Sequence, residues 1–488
     1  MSPAAPPAAS PAAAVALVFD RGTLLLDAAP ERLDAEALAA FGFAPDPRAG
    51  GRLRAPAAAY RRALTWLTRA GLAVDDRARA YAELQLAPRR AREPFPHQAE
   101  ALDAWRRGAR RGVVVLPTGA GKSYVAELAI AETQRSTLVV APTLDLMNQW
   151  FALLAAAFGP EHVGAVGGGS HDVRPLTVTT YDSAYLHMDH LGARFGLVVF
   201  DECHHLPGAA YAQAAEFAIA PYRLGLTATP ERTDGGHARL DALIGPVVYR
   251  REIQELTGDY LADYEVVRLR VELTPDERRA HDLARAEYRA FVQQHGLRMS
   301  RPDGWGQFLA LTSRSAWGRS AWRAWQEQRR IPLQCAAKLL VLEDLLRQHA
   351  ADQVIVFTAD NDTVYRIARR YLLPAITHQT PTTERQAILA ALQAGALRGV
   401  VTSRVLNEGV DIPTASVGLV LSGSSSVREH VQRLGRILRK GEGKAAILYE
   451  LVTADTGEEH TSARRREHGA YGGRPRGAPH PEVPDADA

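Results

Sequence analysis

The sequence predicts an α/β fold with two parallel sheets covered by helices, a small N-terminal α/β module and a helical insertion between the sheets. Two groups of short apolar segments, one in each half of the chain, alternate with segments of helical spacing. This alternation is typical of right-handed βαβ units, whose parallel strands are buried on both faces. The length of 488 residues also favours about three domains, at roughly 100 to 200 residues each.

The N-terminal elements predict a separate module over residues 15–91. Residues 1–14 are rich in alanine and proline, which indicates a flexible tail rather than a secretory signal. VALVFDRGTLLLDA predicts a β-hairpin, and AAAYRRALTWLTRAGL predicts a helix that ends at Gly71. The proline- and arginine-rich stretch LAPRRAREPFP predicts the linker that leaves this module.

The two α/β regions are predicted over residues 92–251 and 334–456. The first has the strand candidates GVVVLP, STLVVAPT, LTVTTY, FGLVVFDE and YRLGLTATP. The second has QVIVFTAD, RGVVTS, SVGLVLSG and AAILYELV. Residues 252–333 between them are expected to form the helical insertion, and residues 457–488 are expected to be a mobile tail because they are polar and rich in glycine and proline.

Composition and charge narrow the class of protein. Hydrophobic residues make up 46% and charged residues 23%, which is ordinary for a globular protein. A net charge of +3 and a pI near 8.8 are too mild to establish a nucleic-acid partner. Two cysteines, Cys203 and Cys335, fit a reducing compartment, and no apolar run approaches the roughly 18 residues that span a bilayer. We therefore expect a cytoplasmic protein with no membrane partner.

The stretch VVVLPTGAGKSYVAELA predicts a strand, a phosphate-binding loop and a helix. Only four of the 58 lysines and arginines are lysines, so a lysine at position 122 is informative. Lys122 is expected to reach the β- and γ-phosphates of ATP, and Ser123 to hold Mg²⁺, although Leu116 replaces the first glycine of the general pattern. The predicted nucleotide-binding residues of this loop are Thr118, Gly119, Ala120, Gly121, Lys122 and Ser123.

The stretch GLVVFDECHHL places two carboxylates at the end of a buried strand. Next to a phosphate-binding loop, Asp201 is expected to hold Mg²⁺ through its water shell, and Glu202 to orient and deprotonate the attacking water. A zinc site made of Cys203, His204 and His205 is the rival interpretation. Three consecutive residues at a strand end cannot all converge on one ion, so zinc is disfavoured.

The residues around the acidic pair have simpler and more specific interpretations. Cys203 is most simply a packing residue. His204 is either an exposed loop histidine or a polar link between the nucleotide site and the second α/β region. In GLTATPER, Thr227 and Thr229 end a strand and are expected to hydrogen-bond towards the acidic pair, which favours the second interpretation.

In the second α/β region, HVQRLGRILRK carries Gln432, Arg436 and Arg439 on one helical face. Such a face is usually just solvated. Because it follows the strand SVGLVLSG, we expect it to point across a cleft towards the nucleotide, where arginines stabilise charge developing on the γ-phosphate.

Three further residues are candidates for contacting the nucleotide. In NEGVDIP, Gly409 and Asp411 follow the strand RGVVTS, and Asp411 is either a turn former or a contact to the nucleotide sugar. Gln98 precedes the strand of the phosphate-binding loop and is expected to read the adenine edge.

The motifs PTGAGKS, DECHH, GLTATPER, NEGVDIP and QRLGRILR, in this order, resemble those of superfamily 2 helicases and translocases. The resemblance spans both α/β regions and implies two RecA-like motor domains. The chain is more closely similar to the XPB-type ATPases of nucleotide excision repair and transcription initiation, especially their bacterial and archaeal forms. VFDRGTLLL, YRRALTWL and PFPHQAEAL look like the family's small damage-recognition domain; RLRVELTPDERRAHDLARAEY looks like the entry to its thumb-like insertion, and LYELVTADTGEEHTSARRR like the microbial C-terminal end.

The resemblance also implies DNA contacts, with one departure from the family pattern. Where the family carries an Arg-Glu-Asp loop, this chain has Arg232, Thr233 and Asp234, so only the arginine and the aspartate carry over. Thr143 and Thr402 are further DNA-contact candidates by the same resemblance. Before the phosphate-binding loop, the family's Arg-x-Tyr-Gln is replaced by Phe-Pro-His-Gln, so only the glutamine's role carries over.

Residues 298–330 hold seven arginines and four of the chain's seven tryptophans. The tryptophans are either stacking platforms between phosphate contacts or the insertion's own core, coated by arginines. We expect this insertion to grip duplex DNA, with Arg319 and Arg323 among its contacts.

Together these features predict an ATP- and Mg²⁺-dependent DNA motor that opens or remodels duplex DNA in repair, with 3′ to 5′ polarity implied by resemblance. Its expected partners are duplex, forked or damaged DNA and a separate repair nuclease. One alternative is the motor subunit of a restriction or defence system, which an appended nuclease motif would favour; none is found in the sequence. Another is a DNA-binding scaffold with a weak ATPase, which the intact set of catalytic residues disfavours.

Overall fold

The computed structural model describes residues 15–27, 34–89, 92–232, 234–301, 303–403, 415–422 and 445–466. It divides into two compact units, Met1–Arg251 and Glu252–Ala488. In every described range, the helices are too short or too polar to cross a lipid bilayer.

The strands of the first unit are β1 (Val15–Asp20), β2 (Thr23–Asp27), β3 (Ala44–Pro45), β4 (Leu53–Pro56), β5 (Val74–Asp76), β6 (Arg111–Val115), β7 (Thr137–Ala141), β8 (Val163–Gly167), β9 (Ser170–His171), β10 (Leu176–Thr180), β11 (Leu197–Asp201), β12 (Tyr222–Thr227) and β13 (Val247–Arg250). Its helices are α1 (Ala35–Ala39), α2 (Tyr60–Arg69), α3 (Pro96–Arg107), α4 (Lys122–Thr133), α5 (Leu144–Phe158), α6 (Tyr181–Leu191), α7 (Gln213–Glu216) and α8 (Leu240–Leu243).

The strands of the second unit are β14 (Asp263–Val271), β15 (Val354–Phe357), β16 (Ala375–Ile376), β17 (Gly399–Thr402), β18 (Val417–Val420) and β19 (Ala445–Thr453). Its helices are α9 (Ile253–Leu256), α10 (Pro275–Gln294), α11 (Gly304–Thr312), α12 (Ala316–Gln334), α13 (Ala336–Gln348), α14 (Asn361–Tyr371), α15 (Thr382–Gln393) and α16 (Gly457–Arg466).

The N-terminal module is built on a small sheet with the strand order β3-β4-β2-β1-β5. The predicted hairpin is confirmed, because β1 and β2 pair antiparallel in consecutive register. The predicted helix α2 is also confirmed, and Gly71 follows its end with φ 72°, a left-handed conformation that favours glycine. Gly22 in the hairpin turn lies against the Phe217 ring, where a Cβ atom would clash. The module therefore packs closely against the first α/β region, at the end of α7.

The segment that leaves the module is fixed rather than free. Backbone hydrogen bonds join Ala80 N to Ala193 O at 3.1 Å and Leu84 N to Gln134 O at 2.9 Å. The Gln134 side chain accepts from Leu86 N at 2.8 Å and donates to Leu86 O at 2.7 Å. These bonds hold residues 80–86 along the surface of the first α/β region, and the linker predicted for residues 86–96 stays a prediction. Residues 90–91, at the predicted boundary, lie outside the described residues.

The first large sheet has the described strand order β13-β6-β12-β11-β7-β10-β8-β9 and is parallel except at β9. The five strands predicted for this region are confirmed as β6, β7, β10, β11 and β12. Strands β6, β12 and β11 are neighbours, with Leu226 paired to both Val114 and Asp201. Because the strands are parallel, the phosphate-binding loop, the acidic pair and the Thr-Ala-Thr segment all emerge at one edge of the sheet.

The second sheet has the described order β14-β19-β18-β15-β17-β16, and all its pairs are parallel. The four strands predicted for this region are confirmed as β15, β17, β18 and β19. Strand β14 corrects the prediction that residues 252–333 are helical throughout. In DYEVVRLRV, charged and apolar residues alternate, and nine residues pair with β19.

Helix α16 corrects the prediction of a mobile tail from residue 457. Glu458 in its first turn accepts from Lys338 Nζ at 2.7 and 2.9 Å and from Thr453 N at 2.9 Å. The Lys338 side chain is 1% exposed and also donates to Leu421 O at 2.7 Å. Residues 1–14 and 467–488, for which flexible ends are predicted, lie outside the described residues.

The helical insertion, α10 to α12, has an aromatic core. The Trp305 and Trp325 ring centroids lie 4.7 Å apart, and Trp325 stacks on Trp322 at 5.0 Å. Trp317 packs on the Phe291 ring at 4.9 Å. These contacts favour the core interpretation of the tryptophans over the stacking platforms, although Trp305 and Trp317 remain 37% and 39% exposed. Exposed arginines, including Arg319 and Arg323, coat this core.

Candidate functional site

The phosphate-binding loop connects β6 to α4 and has two glycines in left-handed conformation. Gly119 has φ 90° and Gly121 has φ 82°, and a Cβ on Gly121 would clash with Gln98 Nε2. Lys122 Nζ donates to Leu116 O at 3.2 Å, so the amine lies across the loop that is expected to receive phosphates. Thr118 Oγ1 is buried in the loop, with no hydrogen-bond partner among the described residues. The loop therefore has the backbone shape of a phosphate cradle.

Gln98 supports this loop from α3. Its Oε1 accepts from Phe95 N at 3.0 Å, and its Nε2 donates to Ala120 O at 3.2 Å. The residue is 4% exposed. Both ends of the amide thus stabilise the chain itself, and reading an adenine edge requires at least one of these bonds to be exchanged. The adenine role stays a prediction.

Asp201 ends β11 with its carboxylate held from two sides. Trp150 Nε1 donates to Oδ2 at 2.8 Å, and Glu202 N donates to Oδ1 at 3.0 Å. The sequence interpretation missed Trp150, which lies on α5 and is 3% exposed. A buried tryptophan needs a hydrogen-bond partner for its N–H. This requirement was the signal that could have pointed to Trp150 as a partner of a polar group.

Glu202 follows in a left-handed conformation, with φ 44°, which is uncommon for a residue other than glycine. Its Oε2 lies 3.4 Å from His204 Nδ1 and 3.5 Å from Thr227 Oγ1. His204 Nδ1 is 3.1 Å from Thr227 Oγ1, which accepts from Thr229 N at 3.2 Å. The three residues predicted to couple this end of the site, His204, Thr227 and Thr229, are therefore brought together with Glu202 in the first unit.

The two histidines of this turn lie against each other, with ring centroids 4.4 Å apart, while Cys203 packs into the core of the sheet. His204 is fully buried, so its interpretation as an exposed loop histidine is wrong, while a link to the second α/β region stays a prediction. Cys203 lies in the core cluster of the large sheet, which confirms its packing role. The His205 ring approaches Tyr181, with centroids 6.0 Å apart.

The electrostatics of the acidic pair fit a bound cation. Burial and the neighbouring Glu202 carboxylate raise the pKa of Asp201 to about 6, although Trp150 and the Lys122 charge oppose the rise. Two desolvated carboxylates side by side are stabilised by a divalent cation. The Ser123 hydroxyl, in the first turn of α4, is partly exposed and is of the oxygen type that Mg²⁺ prefers. The residues present therefore fit Mg²⁺.

The raised pKa gives a testable dependence of stability on pH. The ordinary value for Asp is 3.8, so the stability gained from a protonated Asp201 is fully present below about pH 3.8 and is lost as pH rises through about 6. Asp201→Asn removes this dependence, so its melting temperature minus that of the wild type is expected to increase between about pH 5 and about pH 8 without Mg²⁺. The full effect corresponds to at most about 3 kcal/mol. Thermal unfolding at several pH values measures it, and a constant difference contradicts it.

The predicted DNA contacts have mixed surroundings. Thr402 is fully buried, and its hydroxyl donates to Ile376 O at 2.9 Å inside the sheet. The prediction that its side chain contacts DNA directly is therefore corrected. Thr143 caps α5, where its Oγ1 accepts from Leu146 N at 3.3 Å. Arg232 pairs with Asp234 and donates to His204 O at 2.7 Å, which directs it inwards.

Several predicted site residues lie outside the described residues and stay predictions. They are Gly409, Asp411, Gln432, Arg436 and Arg439.

Three family models match parts of this chain. The "Type III restriction enzyme, res subunit" model matches residues 92–232. The "ERCC3/RAD25/XPB C-terminal helicase" model matches residues 322–470, and the "Xeroderma pigmentosum group B helicase damage recognition domain" model matches residues 17–78.

The chain is also similar to whole proteins. It is 41% identical over 373 residues to the DNA 3'-5' translocase XPB2 of Sulfurisphaera tokodaii, covering 76% of this chain and 84% of that protein. It is 30% identical over 383 residues to the DNA 3'-5' helicase XPB of Mycobacterium tuberculosis, covering 76% of this chain but only 62% of that protein. The crystal structure of the Pyrococcus furiosus Hef helicase domain matches with a TM-score of 0.53 and 20% identity over 76% of this chain and 98% of that one, which supports the fold alone.

Proposed function

Because the chain belongs to the XPB-type helicases of superfamily 2, we propose that it is an ATP-dependent DNA translocase and helicase with 3′ to 5′ polarity. We place its work in nucleotide excision repair, where it opens or remodels duplex DNA. The observation that carries the proposal is the meeting of the phosphate-binding loop, the acidic pair and Thr227 at one sheet edge.

The chemistry assigns a step to each side chain. Lys122 exchanges its bond to Leu116 O for the β- and γ-phosphates, since a loop carbonyl is a weaker partner than phosphate. Glu202 accepts a proton from the attacking water, which bonds to the γ-phosphorus as the bond to the ADP oxygen breaks. His204 and Thr227 hold the Glu202 carboxylate while this occurs. Mg²⁺, held by Ser123 and Asp201, would neutralise charge on the phosphate oxygens.

The second α/β region supplies the remaining groups of the proposal. Arg436 and Arg439 stabilise the charge that develops on the γ-phosphate, and the spacing of Gln432 predicts that it shares their helical face. Gly409 and Asp411 contact the nucleotide. Since these residues follow the strands of the other unit in sequence, hydrolysis becomes linked to domain closure, and closure to movement on DNA.

The helical insertion is the proposed DNA grip. Residues 298–330 hold seven arginines but only two acidic residues, Asp303 and Glu327. Arg330 is neutralised by Glu327, with Nη2 at 2.6 Å from Oε1, whereas Arg319 and Arg323 are exposed on α12. Exposed arginines on a rigid aromatic core suit contact with the phosphate backbone.

ATP hydrolysis in the presence of Mg²⁺, with and without duplex or forked DNA, tests the function. We expect DNA to stimulate hydrolysis, and forks with a 3′ tail to be opened in preference to forks with a 5′ tail. Arg319→Glu and Arg323→Glu, made singly, are expected to weaken DNA binding and reduce the salt slope by about one each, leaving DNA-free hydrolysis unchanged.

The control is Arg107→Glu, an exposed arginine at the end of α3 that makes the same change in net charge. If DNA does not change the rate of ATP hydrolysis, the result contradicts a DNA motor. It then favours a DNA-binding scaffold with a weak ATPase. Equal losses of DNA affinity in Arg319→Glu and Arg107→Glu contradict a specific grip by the insertion.

Pathway and partners are the finer part of the proposal. The match of residues 17–78 to a damage recognition domain supports a role in DNA repair. The restriction-type model matches only residues 92–232, in the first α/β region, and so gives less support to a restriction motor. By resemblance to the microbial branch we add a separate repair nuclease as partner. The two free, buried cysteines fit the reducing cytoplasm.

A further inference from the structure

A short loop after the Thr-Ala-Thr segment is fastened to the turn that carries the catalytic carboxylate. Arg232 Nη1 donates to the backbone oxygen of His204 at 2.7 Å. Arg239, at the other end of the loop, donates from Nη1 to Pro207 O at 2.8 Å. Two arginines of one loop therefore satisfy two carbonyls of the turn that follows Glu202.

Asp234 sets the orientation of the Arg232 guanidinium. Its Oδ1 accepts from Arg232 Nε at 2.9 Å and its Oδ2 from Nη2 at 2.6 Å, a planar two-bond pair. Asp234 Oδ1 also accepts from Gly236 N at 2.9 Å, which fixes the carboxylate to the loop backbone. With Nε and Nη2 bound to Asp234, Nη1 is aimed at the turn.

The turn that Arg232 holds is the one on which hydrolysis depends. His204 Nδ1 contacts both Glu202 Oε2, at 3.4 Å, and Thr227 Oγ1, at 3.1 Å. Glu202 itself has a left-handed backbone, which costs energy and persists only where its surroundings hold it. Fixing the His204 carbonyl therefore restrains the ring that contacts the general base.

We propose that Arg232 is a positioning residue for ATP hydrolysis, with Asp234 as its orienting partner. The loop that carries both residues supports Glu202 and His204 and does not contact DNA. The inference rests on the proposed function. The Arg232 side chain is 24% exposed, and its charge is balanced by Asp234, which makes it a poor ligand for a phosphate backbone.

The test compares Arg232→Ala, Arg232→Lys and Asp234→Asn by DNA-free ATP hydrolysis. Arg232→Ala is expected to lower kcat roughly 10- to 100-fold, as loss of a supporting contact does at other sites, with KM for ATP little changed. Lysine can donate to His204 O and is expected to restore part of kcat. Since Asp234 acts through Arg232, the double variant Arg232→Ala/Asp234→Asn is expected to be no slower than Arg232→Ala.

Two further readouts separate this role from DNA contact and from general damage to the fold. DNA affinity and its salt slope are expected to stay at the wild-type values in Arg232→Ala. Hydrogen exchange of the amides in Cys203–His205 is expected to accelerate in that variant, because the turn loses its restraint.

Arg174→Ala is the matched control. Arg174 also pairs with an aspartate two residues away, with Nε 2.8 Å from Asp172 Oδ2, and also donates to a backbone oxygen, Glu161 O, at 3.0 Å. Arg174 makes none of these contacts with the turn after Glu202. The kcat of Arg174→Ala and the hydrogen exchange of that turn are therefore expected to match those of the wild type.

Unchanged kcat in Arg232→Ala, together with weaker DNA binding and a salt slope reduced by about one, overturns the proposal. Unchanged hydrogen exchange of the Cys203–His205 amides in Arg232→Ala overturns the proposal as well. If the wild type hydrolyses no ATP with any DNA, the proposed function fails, and the exchange measurement still decides whether Arg232 restrains the turn.

Discussion

Glu202→Gln is expected to reduce ATP hydrolysis roughly 10²- to 10⁴-fold, because an amide cannot take the proton from the attacking water. The shape of the side chain is kept, and its oxygen can still accept from Thr227. ATP binding is therefore expected to persist. Phosphate release with and without DNA measures the first effect, and equilibrium binding of a fluorescent ATP analogue measures the second.

The control for this variant is Glu161→Gln, an exposed glutamate of the same unit that pairs with Arg89. It is expected to hydrolyse ATP at the wild-type rate. If Glu202→Gln hydrolyses ATP within a few fold of the wild type, Glu202 is not the general base. If it fails to bind ATP, its carboxylate supports the site rather than the proton transfer.

Lys338→Met is expected to destabilise the second unit by about 3 to 5 kcal/mol, because it leaves the Glu458 carboxylate without its buried partner. The same change removes the donor to Leu421 O, just before the segment that leads to Gln432 and the two arginines. The paired variant Lys338→Met/Glu458→Met is expected to recover part of this loss, since neither charge is then left unpaired.

Hydrogen exchange is the appropriate measurement, because it reports the stability of the second unit separately from that of the first. Peptides that cover β18 and β19 are expected to exchange faster in Lys338→Met, while peptides from the first unit serve as an internal reference. A loss of less than about 1 kcal/mol in the second unit contradicts a stabilising role for this ion pair.

Elements that depend on neighbouring residues could be predicted from the sequence. Nine strands of the two large sheets have short apolar runs, so their positions follow from local pattern, whereas β14, with its alternating charged and apolar residues, was not predicted. The glycines of the phosphate-binding loop and the carboxylates after β11 follow from short-range chemistry, since each acts within a few residues of a strand end. The order of the motifs was enough to identify the family.

Contacts between distant residues could not be predicted in this way. Trp150 reaches Asp201 across 51 positions, and Lys338 reaches Glu458 across 120. Residues 80–86, after the N-terminal module, are held by backbone bonds to Ala193 and Gln134. No local period encodes such pairings.

The sequence by itself determined nine strands of the two large sheets, the phosphate-binding loop, the acidic pair and the family. Only the tertiary structure decided which groups support them: Trp150 on Asp201, Arg232 on the turn after Glu202, and Lys338 on Glu458. The reason is physical. Propensity and periodicity act over a few residues, whereas a buried N–H, guanidinium or amine needs a partner that the packing of whole elements brings to it.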